Sequence, residues 1–268
     1  MGRGLLAGGA ETGVSVQSVE RAVRILEALA VRAQMPLGQV AEEVGIHKST
    51  AYRLLHALMQ LGYVEQDGEQ GPYRVGIRLV EMGARAMGSW PLARAAEPIM
   101  DALAEQLGEA VNLAVEDDLS MVYVATVDAH NLLRMQLNVG RRAPIHCTAV
   151  GKAMLANRDE LRGLLKQSHP QLAANTANTI TDWSLLEAEL ELVRQHGYAV
   201  DNEEQEIGAR CVASPITDRR NRIVAALGIS APTARLSAGK AQEFGPIIAQ
   251  AAQKVSERLG SAAVLNGR

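Results

Sequence analysis

Apolar spacing predicts an α+β chain in two parts: three short helices closed by a β-hairpin, then, after a linking helix, a larger part mixing strands and helices. Three observations carry this reading. A helix, glycine turn, helix pattern spans residues 36–61. Two short β runs flank a Gly-rich loop between 63 and 75. Beyond Trp90-Pro91 the apolar period alternates between two and 3.6 as far as the last helix.

Residues 1–15 are rich in Gly and Ala without periodicity and read as a mobile tail. From Ser18, placed as an N-cap, Val19, Ala22, Val23, Leu26, Leu29 and Ala30 recur at helical spacing. Pro36 opens a second helix through Leu37, Val40, Ala41 and Val44 that stops at Gly45. His47-Lys48-Ser49 leads into a third, with a stripe of Ala51, Leu54, Leu55 and Leu58, ending near Leu61-Gly62. Tyr63–Glu65 and Tyr73–Val75 enclose Asp67-Gly68 and Gly71-Pro72, the composition of a hairpin loop. Residues 16–76 therefore read as a winged helix-turn-helix, and 77–90 as a linker helix carrying Ile77, Leu79, Val80, Met82 and Gly83.

Residues 91–268 form the second domain. A helix through Ala96 to Leu107 precedes strands at Ala110–Val115, Met121–Val127 and Leu132–Leu137. Helices follow near Ala149, near Asp159 and at Leu185–His196; then come strands at Tyr198–Val200, Gly208–Thr217 and Ile223–Ile229, and a final helix from Ser237 to Leu259.

At 268 residues and 47% hydrophobic content, each part can bury its own core. No run reaches the roughly 18 apolar residues of a membrane span, so no membrane partner is expected. Met1–Leu6 does not resemble a secretory signal, and Leu6 does not suit myristoylation. Cys147 and Cys211 are far apart and lack C-x-x-C spacing, so neither a metal site nor a cofactor is expected, and a reducing cytoplasm suits them. A net charge of −3 gives no global basic footprint, so any nucleic-acid contact is local. Aromatics make up 3%, with Phe244 the single phenylalanine, which disfavours base-stacking recognition of RNA or single strands.

On the third helix the apolar stripe turns Ser49, Tyr52, Arg53 and His56 outward, with Lys48 and Thr50 at the N-terminus, where backbone N–H groups and the helix dipole attract phosphate. Helices that read the major groove use such N-terminal residues. Arg53 suits either a bidentate contact to guanine or a phosphate; Lys48, Ser49 and Thr50 suit phosphates. Ser18 and Arg21 of the first helix and Arg74 of the hairpin complete the candidate DNA surface. The competing reading is an ordinary solvated polar face. Between residues 16 and 78 seven basic side chains meet seven acidic ones, so a DNA-facing field requires the two signs to be segregated.

Enzymatic readings are weaker, and none is adopted. Gly228-Ile229-Ser230-Ala231-Pro232 approaches G-x-S-x-G but has proline for the second glycine. Gly151-Lys152 lacks the upstream glycine of a phosphate loop. A small-molecule hydrolase and a ligandless dimeric scaffold stand as the alternatives to a regulator. In the second domain, Thr148 reads as an N-cap with Ala149, Val150 and Gly151 behind it, leaving N–H groups for an anion such as a carboxylate. The same three residues also suit a tightly packed helix start.

The segments Val16–Ala22 and Lys48–Leu55, then Gly140–Ala153, Gly197–Glu204 and Gly208–Ala213, resemble the IclR family of bacterial regulators over residues 16–260. That resemblance implies a PAS/GAF-like α/β effector domain behind the winged helix-turn-helix. It implies a homodimer or tetramer on palindromic, double-stranded promoter DNA, and a repressor responsive to a small organic or aromatic acid. It places Asp201, Cys211, Gly228 and Ser230 in the effector pocket beside Ala149, Val150 and Gly151, with Leu133 and Met135 on a neighbouring strand as an apolar wall. Val150 and Gly228 depart from one small-acid pattern of the family, which has alanine and serine there; loss of the serine hydroxyl points to a less polar ligand. Two residues keep a second reading: Cys211 as a small buried hydrophobe, and Asp201 as a holder of backbone N–H groups.

Overall fold

The computed structural model describes residues 17–128, 135 and 137–261, and the chain divides into two compact units at 1–88 and 89–268. In the first, α1 (Gln17–Arg32), α2 (Leu37–Val44) and α3 (Lys48–Gln60) precede a hairpin of β1 (Val64–Gln66) and β2 (Tyr73–Val75), and α4 (Ile77–Ser89) follows. The 3.6-residue period puts Ile25 and Leu29, Val40 and Val44, and Leu55 and Leu58 into one core with Val64 and Tyr73. Gly45 ends α2 in the left-handed region at φ 71°, where a glycine carries no Cβ penalty. Met35 and Tyr73 exchange backbone hydrogen bonds of 2.9 and 2.8 Å, tying the hairpin to the connection between α1 and α2. Ser18 is not the N-cap expected of it, because α1 already includes Gln17 and Ser18 lies within its first turn. No residue of α4 is buried, and Ile77, Val80 and Met82 are exposed.

The second unit is built on a six-stranded antiparallel sheet. Its strands are β3 (Ala110–Asp117), β4 (Ser120–Val127), β5 (Arg142–Pro144), β6 (Ala199–Asn202), β7 (Ala209–Thr217) and β8 (Ile223–Pro232), in the order β5-β4-β3-β8-β7-β6. Side chains alternate across it. Val111 and Leu113, Val212 and Ile216, and Leu227 and Ile229 share one core with α5 (Pro91–Leu107) and α9 (Ala238–Arg258). Ala114, Ala213 and Ala226 point the other way, to α6 (Ala149–Ala156), α7 (Asp159–Ser168) and α8 (Trp183–His196). The α5/α9 face thus carries large aliphatic side chains, whereas the α6 face carries alanines and the polar Asn112, Cys211 and Ser230.

Small residues let α6 lie close to the sheet, and all eight of its residues are buried. Gly151 has no room for a side chain, since a Cβ there would stand 2.0 Å from the Ile145 carbonyl oxygen. Pro91, read from sequence as a boundary, is the first residue of α5, where a missing N–H costs nothing.

Most of the strand expected at 132–137, Leu133 included, lies outside the described residues; of the rest, neither Met135 nor Leu137 is in a strand. The hydrogen-bonding edge of β4 is taken by β5 instead, with Met121 opposite Ala143 and the Tyr123 N–H donating to the Arg141 carbonyl at 3.0 Å.

Candidate nucleic-acid interface and effector pocket

In the first unit α3 buries Ala51, Leu55 and Leu58, half-buries Leu54, and leaves Ser49, Tyr52, Arg53 and His56 exposed on the opposite side. Tyr52 and His56, one turn apart, bring their rings to 6.2 Å. Lys48 is exposed at the N-terminus of the helix and Thr50 is half-buried. Arg21 of α1 joins Glu42, His47 and Thr50 around a groove of about 400 Å³ at the helix-turn-helix corner, and Ser18 is exposed on the same helix as Arg21.

Charge segregation in this unit is achieved by pairing. Arg32 binds Glu43 at 2.9 Å, Arg24 meets Glu20 at 3.6 Å, and Arg78 meets Glu81 at 3.1 Å. Arg74 donates from both Nε and Nη2 to Oε2 of Glu65, at 3.0 and 2.9 Å, so it does not stand ready for phosphate as the sequence suggested. Arg21, Lys48 and Arg53 make no ion pair among the described residues. Arg85 on α4 is likewise in no ion pair among the described residues, so three of the uncompensated cations gather around α3 and one does not.

In the second unit, register assembles a polar row from three strands. Asp201 on β6 lies opposite Cys211 on β7, which lies opposite Ser230 on β8. A neighbouring row runs through Ala213, Gly228 and Asn112, and the Asn112 amide donates to Ser230 Oγ at 3.1 Å. α6 packs over β6, β7 and β8 and so roofs both rows. At its start Thr148 Oγ1 accepts from the Gly151 N–H at 3.2 Å and donates to the Pro144 carbonyl at 2.8 Å, forming the expected cap. Ala149, Val150, Asp201 and Ser230 are each at most 3% exposed; Cys211 and Met135 keep partial exposure. A separate cavity of about 360 Å³, lined by Arg142, His146, Leu165, His169 and Asn175 among others, shares none of the expected effector residues.

Asp201 Oδ1 accepts the N–H groups of Glu204 and Gln205 at 2.8 and 3.3 Å, so this carboxyl does hold backbone. Burial nevertheless raises its pKa to about 7, with the Glu204 carboxylate adding to the rise and the two N–H groups opposing it. Burial likewise pushes the Cys211 thiol up to about 12, against a hydrogen bond from Ser230, and the Cys147 thiol to about 12, against one from Asn175. Cys147 Sγ donates to Gln205 at 3.4 Å, and the Asn175 amide donates to it at 3.0 Å. His146 is bonded through Nε2 to the Ala173 carbonyl at 2.9 Å and does not activate Cys147.

Sequence reasoning passed over three residues. Asn112 and Tyr123 belong to the strands bordering the rows, and burial raises the Tyr123 pKa. Lys152, only 1% exposed, donates to Glu204 at 2.5 Å and to Glu189 at 2.9 Å. Burial alone lowers a lysine pKa, but these two carboxylates outweigh it and keep the ammonium charged. The available signals were a lone lysine in the otherwise apolar Ala149–Ala156 helix and a lone asparagine in the run Ala110–Val115. Among the described residues no group of His, Cys, Asp and Glu is disposed to hold a metal, and no helix is long and apolar enough to cross a membrane.

Residues 18–68 match the family model for the IclR helix-turn-helix domain, and residues 84–257 match that for the C-terminal domain of the bacterial transcriptional regulator IclR. The chain is 39% identical over 248 residues to the HTH-type transcriptional regulator KdgR of Escherichia coli, covering 92% of this chain and 94% of that one. It is 33% identical to the transcriptional repressor IclR of the same organism, covering 91% and 90%. Among solved structures it is similar to an IclR homolog from Microbacterium hydrocarbonoxydans complexed with 4-hydroxybenzoate, with a TM-score of 0.79, 26% identity, and coverage of 90% and 98%.

Proposed function

The chain belongs to the IclR family of bacterial transcriptional regulators, and on that premise we propose that it represses transcription by binding a palindromic operator as a homodimer or tetramer, until a small carboxylate enters between α6 and the sheet. The observation that carries the DNA half is the exposed row Ser49, Tyr52, Arg53 and His56 beside the uncompensated Arg21 and Lys48. Arg53 reads a base edge, Lys48, Ser49 and Thr50 hold phosphates, and Ser18 and Arg21 hold the backbone beside them. Arg74 joins only by exchanging Glu65 for a phosphate. The working division is 16–76 for DNA, 77–90 for the linker and 91–268 for effector binding and assembly.

The buried rows support the effector half, with Ala149, Val150 and Gly151 as roof, Asp201, Cys211, Gly228 and Ser230 as floor, and Met135 at the rim. A relative crystallised with 4-hydroxybenzoate, itself a carboxylate, favours an acid, and a relative named as a repressor favours repression. Ser230 faces Cys211 and Asn112 rather than a base, which favours a sensor over a hydrolase. Action on DNA in the cytoplasm follows.

Fluorescence anisotropy of the full chain on the DNA upstream of its own gene, against a scrambled duplex over a salt series, tests this. Saturable, salt-weakened binding that prefers the upstream DNA, and that an acid relieves, is expected. Equal weak binding to both duplexes, unchanged by any acid tried, would overturn it.

A further inference from the structure

Asn112 is 2% exposed, and its Oδ1 has no hydrogen-bond partner among the described residues. A buried amide oxygen left unpaired is costly, and an apolar side chain of the same shape would be cheaper. The Asn112 amide donates from Nδ2 to Ser230 Oγ at 3.1 Å, which leaves Oδ1 as the free end. That oxygen points along the neighbouring row: a Cβ built on Gly228 would stand 3.3 Å from it. It thus faces α6, within the layer assigned above to the effector.

We propose that Asn112 is a specificity-determining residue of this pocket, accepting a hydrogen bond from a hydroxyl of the effector and so selecting hydroxylated carboxylates over their deoxy counterparts. The inference rests on the effector reading above. A lone carbonyl oxygen repels a carboxylate, so the acid group lies at the other end of the ligand, toward the N–H groups at the start of α6, and the hydroxyl lies over β3 and β8. Without the hydroxyl the ligand leaves Oδ1 buried and unpaired, and a site of this kind rejects such an analogue far more strongly than an apolar pocket rejects a missing methylene.

The test uses matched pairs on the full chain, 4-hydroxybenzoate with benzoate and lactate with propionate, titrated by calorimetry into wild type, Asn112→Leu and Ala149→Trp. Operator binding serves as the check that each variant folds. Wild type is expected to bind the hydroxylated member of at least one pair roughly tenfold or more tightly. Asn112→Leu is expected to bind both members of that pair equally, and Asn112→Ala gives the same reading should leucine prevent folding. A preference retained in the Asn112 variants, while Ala149→Trp loses all acid binding, would overturn the role of Asn112 and leave the pocket standing. Acid binding intact in Ala149→Trp would overturn the pocket itself, and an absence of binding by all four acids would overturn both.

Discussion

The two units handle charge in opposite ways. In the N-terminal unit Arg32–Glu43 and Arg74–Glu65 are both half exposed, with side-chain exposures of 57% and 45%, and 50% and 43%. Water screens such pairs, and each contributes about 0–1 kcal/mol. In the C-terminal unit Lys152 and Glu204 are 1% and 5% exposed and 2.5 Å apart, so each is tolerated only because it is paired, Glu204 by Lys152 and Lys152 by Glu204 and Glu189. Pairing on the surface of the first unit decides which cations are left over for DNA. Pairing inside the second fixes the segment after β6 against α6.

The largest expected effect tests the buried side of this contrast. Lys152→Met leaves Glu204 buried without its cation and should destabilise the C-terminal unit by about 3–5 kcal/mol in chemical denaturation, with Lys152→Met/Glu204→Leu recovering most of the loss. A loss below about 1 kcal/mol would place Lys152 with the surface pairs.

Next comes the exposed side. Arg53→Ala should weaken operator binding by about 1–3 kcal/mol and relax sequence choice if the contact is bidentate to a base. If only the salt slope falls, Arg53 is a phosphate contact.

Asp201 gives a smaller effect that depends on pH. Its folded pKa, about 7, lies above the ordinary 3.8, so the folded chain holds a proton there that the unfolded chain has released. The stabilisation from that proton is fully present below the ordinary value and is lost as pH rises toward 7. Relative to Asp201→Asn, wild type should lose roughly 1–2 kcal/mol between about pH 5.5 and 8. Parallel stability curves for the two proteins would show that the carboxyl titrates in its ordinary range.

Smallest is Glu65→Ala, which frees Arg74. Stability should change by less than about 1 kcal/mol, while operator affinity rises slightly if Arg74 reaches phosphate. A larger loss of stability would make the hairpin pair structural.

The helices of the first unit were legible almost to their ends because a 3.6-residue apolar period with glycine stops leaves little choice, and the exposed row on α3 followed from it. Which arginines are neutralised was not legible, since Arg74 and Glu65 meet through the register of β1 and β2. In the second unit the run 132–137 has a two-residue period, yet strand identity depends on a partner: Met135 and Leu137 lie in no strand, and β4 pairs with residues 142–144. Asn112 was invisible for a related reason. Its meaning comes from Ser230, 118 positions away and adjacent only once β3 and β8 align. The resemblance supplied Asp201, Cys211 and Ser230 as separate positions, and strand pairing is what brings them into one row.

Cys147 is buried and Cys211 half-buried, and both thiols are held protonated, with a consequence for redox chemistry. With pKa values pushed up to about 12, Cys147 and Cys211 hold on the order of one thiolate in a hundred thousand at neutral pH. Oxidants and alkylating agents attack the thiolate, so iodoacetamide should label the folded chain very slowly and the denatured chain at once. With so little thiolate, the folded chain is expected to resist oxidants as it resists iodoacetamide.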